Sequence, residues 1–163
     1  MRKWSLRRVS VINLCETSAN SLLRGEKAVK PKSTIMTRER MNEIGGIILD
    51  AAIAVHRELG PGLLESAYQI ALKKEIELRG LYVRARVPVE LVYKDESLGK
   101  AYEIDLLVEE EIIIENKSVE AMTPIFTAQV ITYLKLSNKC LGYLINFNVP
   151  LLKDGFKRIV YKF

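Results

Sequence analysis

The sequence predicts one α/β (α+β) domain, a mixed sheet flanked by helices. Three observations carry this. Two stretches near 41–79 have apolar residues at helical spacing. A third helical stretch follows a Thr-Pro pair at 123–124. Between and after them lie short apolar runs bounded by turn residues, in the order α-α-β-β-β-α-β-β. The length of 163 residues, of which 48% are hydrophobic, is enough for one sizeable core. No apolar run approaches the roughly 20 residues of a membrane-spanning helix.

From Met41 to Leu59, residues Ile44, Ile47, Ile48, Ala51, Ala52, Val55 and Leu59 mark one helix face. Gly60-Pro61-Gly62 ends that helix and starts a second, which runs to Arg79 with Gly80 beyond its C-terminus. Residues 81–93 form two extended pieces separated by Pro88, the pattern of an edge strand or a bulge. Lys94–Lys100 reads as a polar turn. Residues 101–108 and 111–118 read as a β-hairpin joined through Glu109-Glu110-Glu111. Thr123-Pro124 supplies an N-cap and first-turn pair for a helix to about Ser137. Cys140–Phe147 is expected to be a buried strand and Arg158–Phe163 a last one.

The hairpin carries the chemistry. With the turn centred on Glu110, Asp105 lies opposite Glu115, Leu107 opposite Ile113 and Glu103 opposite Lys117. Side chains alternate along a strand, so Asp105, Glu115 and Lys117 share one face. Tyr102, Ile104, Leu106, Ile112 and Ile114 then cover a core on the other. Opposed carboxylates destabilise a sheet. A hard cation such as Mg²⁺ relieves that repulsion. The competing reading is a solvated face with a Glu103–Lys117 ion pair. Asn116 points to the core side and needs a hydrogen-bond partner there. Gln129 and Tyr133, four apart, project from one helix face, as do Glu65 and Tyr68, three apart.

The order Glu65, Asp105, Glu115-Asn116-Lys117, Gln129-x-x-x-Tyr133 is that of the PD-(D/E)XK nucleases. The Gln-x-x-x-Tyr element resembles the RecB-type exonuclease branch. The string Val55-His-Arg-Glu-Leu-Gly-Pro-Gly-Leu-Leu-Glu-Ser-Ala-Tyr68 strongly resembles the GxxExxY proteins, a prokaryotic family of that superfamily, and the likeness runs from about Met41 to Lys162. In this family the residue corresponding to Asn116 is usually apolar. The resemblance implies a restriction-endonuclease-like αβββαβ core and a metal-dependent phosphodiesterase. Asp105 and Glu115 would ligate Mg²⁺ or Mn²⁺, with Glu65 as a third carboxylate. Lys117 would act on the attacking water, and Gln129 would orient water or phosphate. Tyr133 would touch the substrate strand or pack. Tyr68 would touch the substrate or position Glu65. For Glu65 itself, the alternative is a helix N-terminal acid favoured by the macrodipole. The implied partner is nucleic acid, DNA ahead of RNA, with a homodimer expected by analogy. A nuclease-like module that binds nucleic acid or a protein without cleaving is the alternative.

Residues 1–40 hold ten Lys/Arg against three Asp/Glu, a charge of +7, whereas residues 41–163 hold fifteen against seventeen, a charge of −2. The whole-chain +5 therefore reflects the leader, which lacks apolar periodicity and is expected to be disordered. It reads as a basic arm for phosphate backbones, a targeting segment, or a stretch preceding a true start at Met36 or Met41. The last is favoured because the resemblance begins there. Within the domain, Lys73, Lys74, Arg79, Arg84 and Arg86, or Lys135 and Lys139, could bind phosphate or be ordinary solvated bases. Cys15 and Cys140 lie far apart, without metal-ligand spacing, which fits a reducing, cytoplasmic setting and a Cys140 that packs as a small apolar residue. His56, the only histidine, lacks a nucleophile partner and is expected to be structural. No Ser/His/Asp set, Walker loop or Rossmann glycine pattern occurs.

Overall fold

The computed structural model describes residues 36–163, so residues 1–35 of the leader, Cys15 among them, lie outside the described residues, whereas Arg38–Arg40, expected in a disordered leader, form the first turn of a helix. Helix α1 spans Arg38–Leu59, its first turn capped by the Thr37 hydroxyl accepting from the Arg40 N–H. Helix α2 spans Glu65–Leu78 and ends at Gly80, whose φ of 83° suits a residue without Cβ. Strands β1 (Val83–Tyr93), β2 (Glu96–Val108) and β3 (Ile112–Lys117) follow. Helix α3 (Pro124–Leu136) crosses to β4 (Leu141–Asn146), and a short helix α4 (Leu152–Gly155) leads into β5 (Phe156–Val160). Among the described residues, no helix is long and apolar enough to cross a membrane.

The sheet order is β1-β2-β3-β4-β5, antiparallel except for the parallel pair β3 and β4. Helices α1 and α2 bury Ile44, Ile48, Tyr68, Leu72 and Ile76 against one face, with Ile112, Ile114 and Ile145 from the sheet. Helix α3 buries Val130, Tyr133 and Leu134 against the other, with Ile113 and Leu144. This is the mixed, helix-flanked sheet that the sequence predicts. β3 and β4 are buried along their whole lengths, as central strands covered on both faces must be.

Three readings of the strands need correction. The connection between β1 and β2 is only Lys94-Asp95, both with positive φ, and the strands pair up to Tyr93↔Glu96. Residues 96–100, expected in the turn, are strand. β1 is one continuous strand and not two pieces, while the edge position and the bulge that Pro88 suggested are both present, β1 lying at the sheet edge with register shifts between Val89 and Glu90 and between Glu90 and Val92. The third correction concerns facing. Leu106 and Val108 pack with α1 and α2, but Ile104 packs on the α3 side, and Tyr102 lies 5.6 Å from Tyr133 of α3. Alternation therefore breaks at Asp105. Across the ladder at the same step, Arg86, the residue facing Asp105, has φ +55°, and the pairs on either side are Ala85↔Leu106 and Val87↔Ile104.

Candidate active site

The predicted register of β2 and β3 holds at Leu107↔Ile113, but the ladder stops at Leu106↔Ile114. Asp105 and Glu115 are therefore not a laddered pair. Asp105 Oδ2 instead accepts the Asn116 N–H at 2.8 Å, satisfying a backbone donor where the strands part. The Asp105 carbonyl turns away from the sheet and accepts from Gln69 Nε2 of α2 at 2.9 Å. Glu115 and Lys117 share a face of β3 by alternation, and Lys117 Nζ donates to Glu115 Oε1 at 2.6 Å. The Glu103–Lys117 pair of the competing reading does not form, because the strands have separated before reaching it. Lys117 also stands 4.0 Å from Glu65 Oε1 and 5.4 Å from the centre of the Phe126 ring.

These groups are electrostatically bound to one another. Burial, then the Asp105 charge, push the Glu115 carboxyl up to about 7 despite the Lys117 hydrogen bond. Burial also raises Asp105, against the Asn116 N–H and the Lys117 charge. For Lys117 burial works downward, but the Glu115 hydrogen bond and the charges of Glu115, Glu65 and Asp105 outweigh it, and the ammonium is held. Glu115 Oε2 is buried with no hydrogen-bond partner. An ionised carboxylate oxygen left this way is costly unless a cation meets it.

Glu65 is the first residue of α2, where the helix dipole favours an acid, and its half-exposed carboxylate faces Lys117. The loop before it explains why. Gly62 has φ +99°. The Tyr68 hydroxyl donates to Gly60 O at 2.6 Å and accepts the Leu63 N–H at 3.0 Å, stapling the loop to α2. The Tyr68 ring is fully buried, stacked on Phe147 at 4.5 Å. It leaves no surface for a substrate and positions Glu65 instead. Tyr133 is also buried, its ring against Tyr102 and its oxygen accepting from Gln129 Nε2 at 2.6 Å. Its phenol hydrogen stays available, and the charges of Glu115, Lys117 and Asp105 reach it. Tyr133, with Gln129 on its oxygen, thus lies within electrostatic reach of the carboxylate pair.

Sequence reasoning missed three supports of the site. Gln69 fixes the Asp105 backbone; its spacing of four from Glu65 on α2 was the available signal. Ser118 Oγ donates to Leu63 O at 2.7 Å, tying the end of β3 to the Gly62 loop. Asn146 is buried, and its side chain holds both the N–H and the carbonyl of Val119. Asn116, fully buried, has neither amide atom partnered, so the partner expected for it is absent among the described residues. His56 Nε2 lies 2.8 Å from Val149 O, and since a carbonyl only accepts, that nitrogen carries the proton and the ring ties α1 to the loop after β4.

Among the described residues no three His, Cys, Asp or Glu side chains gather closely enough to hold a metal ion by themselves. The oxygens suited to a hard divalent cation are those of Asp105 and Glu115, and the unpartnered buried Glu115 Oε2 is the observation that fits one. Searches of curated proteins and of solved structures return no significant match. The sequence profile of the PD-(D/E)XK nuclease superfamily matches residues 42–159, and with this αβββαβ sheet and its split between β2 and β3, the chain belongs to that superfamily.

Proposed function

We propose that the protein is a divalent-metal-dependent phosphodiesterase acting on nucleic acid, and that within its superfamily it is a GxxExxY protein, through Gly62, Glu65 and Tyr68. Superfamily membership supports a nuclease, and PD-(D/E)XK nucleases generally use divalent metals. The observation that carries the reading for this chain is Glu115: a buried carboxylate beside Asp105, with one oxygen on Lys117 and the other unpartnered. Asp105 and Glu115 would hold Mg²⁺ or Mn²⁺, with Glu65 reaching it directly or through water. A cation held there would supply Lewis acidity toward water and toward the phosphate.

The remaining steps belong to the chain. Lys117, fixed by Glu115 at 2.6 Å, places a positive charge beside the attacking water and stabilises negative charge that develops only in the transition state. Gln129 accepts the task of fixing the Tyr133 oxygen, so that the phenol hydrogen donates to a phosphate oxygen or to water. Asn116 and Gln69 keep Asp105 in place through its side chain and its carbonyl. The test is a cleavage assay on single- and double-stranded DNA and RNA with Mg²⁺ and Mn²⁺, with Lys117→Met run beside it. Metal-dependent cleavage lost in Lys117→Met is the expected result. No cleavage of any substrate with either metal removes the enzyme reading and leaves a binding module.

A further inference from the structure

Several of the domain's bases pair one to one with a carboxylate. Lys73 pairs with Glu77, Arg79 with Glu75, Arg84 with Glu110 and Lys139 with Glu111, one cation to one carboxylate. One group differs. Glu103 alone among the described carboxylates holds two cations: Arg86 Nε lies 2.8 Å from Oε1 and Lys100 Nζ 2.5 Å from Oε2. The trio carries a net charge of +1. It also adjoins the candidate active site. Arg86 stands across the ladder from Asp105, at the step where pairing is skipped, and Glu103 is two residues from Asp105 and close enough for its charge to act on it.

We propose that Arg86 and Lys100 form a clamp for a phosphodiester of the substrate strand, with Glu103 occupying it as a carboxylate stand-in when no substrate is bound. This rests on the phosphodiesterase reading of the Asp105 and Glu115 centre. Both cations are exposed, and their ion pairs with Glu103 lie at the surface, where such pairs contribute little and exchange readily. A guanidinium offers a phosphate the same fork that it offers a carboxylate. The Lys117 centre, with three carboxylates around one ammonium, repels a polyanion until a divalent cation neutralises it. A positive group on the adjoining strand gives the substrate backbone its first hold. Arg86 holds its place across from Asp105 with a left-handed backbone, φ +55°, a conformation a non-glycine residue adopts at a cost.

The experiment measures equilibrium binding of a fluorescein-labelled oligodeoxynucleotide, single-stranded and duplex, by anisotropy over a salt series with Ca²⁺ present. Cleavage is followed separately with Mg²⁺ and Mn²⁺. Glu103→Gln is expected to tighten binding several-fold. Arg86→Gln with Lys100→Gln is expected to weaken it about tenfold and to flatten the log Kd against log salt slope by about 0.7–0.9, the loss of one phosphate contact. Arg40→Gln, which removes one charge from the α1 N-terminus, is expected to change neither. The proposal is overturned if the wild type does not bind, or if the clamp variants bind with the Kd and salt slope of the wild type. The two readings separate: cleavage by wild type with unaltered clamp variants removes the clamp and keeps the nuclease. Altered binding without cleavage by any form keeps the clamp and removes the nuclease.

Discussion

Replacing Glu115 by Gln should stabilise the metal-free protein at neutral and alkaline pH. A free glutamate titrates near 4.5, whereas Glu115 titrates at about 7 in the fold. Below the lower value both the folded and unfolded chains are protonated there, and the group contributes no penalty. Between the two, the unfolded chain ionises first and stability falls. Above about 7 both forms are ionised and the full penalty stands. At about 1.4 kcal/mol per pH unit, the gap makes ionised Glu115 cost about 3 kcal/mol. Glutamine imitates the protonated acid: it is neutral, has the same shape and keeps an oxygen to accept from Lys117. The loss of attraction to Lys117 is already counted, because the protonated acid loses it too. For a domain of this size, about 3 kcal/mol raises Tm by about 10 °C. The assay is denaturant unfolding with EDTA from below pH 4.5 to about pH 8. The Glu115→Gln advantage should be near zero at the acid end and grow as pH rises. Adding Mn²⁺ should then stabilise the wild type and leave the variant unmoved. An advantage that does not change with pH, or a variant less stable than wild type at about pH 8, would refute the argument that Glu115 is a buried acid awaiting a cation.

Lys117→Met should reduce cleavage by about 10²–10³-fold, the usual loss for one preorganised charge at a reacting centre, with Mn²⁺ affinity by calorimetry not reduced. Asn116→Val should raise stability by about 1–3 kcal/mol, because two buried amide atoms without partners are removed and a good strand former is added. A lower melting temperature for this variant would mean that Asn116 is hydrogen-bonded after all. Tyr68→Phe should cost about 1–2 kcal/mol by freeing Gly60 O and the Leu63 N–H, and should also slow cleavage through Glu65, with both followed on the same samples. Unchanged stability would show that the hydroxyl is not the staple of that loop.

Much of this arrangement is legible in the chain before any coordinates. Gly60-Pro61-Gly62 separates α1 from α2 because neither a proline nor a left-handed glycine continues a helix. The register at Leu107 and Ile113 follows from apolar alternation on either side of three consecutive glutamates. What alternation cannot reveal is where a strand stops obeying it. Arg86 has no glycine or asparagine character to announce a positive φ, yet it faces the step at which Ile104 and Tyr102 turn to the α3 side. Long-range polar supports such as Asn146 on Val119 and Ser118 on Leu63 are equally silent, because they depend on elements far apart in sequence.

The places where local rules fail are themselves informative. Three departures meet at one step of the sheet: a non-glycine left-handed residue at Arg86, a ladder that ends at Leu106↔Ile114, and a buried carboxylate oxygen on Glu115 without a donor. Each opposes folding, the first and last by about 1–3 kcal/mol each. Scattered over a domain they would be ordinary flaws. Together they mark the place where β2 and β3 part beside Asp105 and Glu115, with Arg86 across the ladder from Asp105. A sequence that keeps its strands, caps and core consistent elsewhere concentrates its conflicts where a ligand can offset them. The unmet charge here is negative and hard, and the superfamily to which the chain belongs is one that generally meets such charge with a divalent cation.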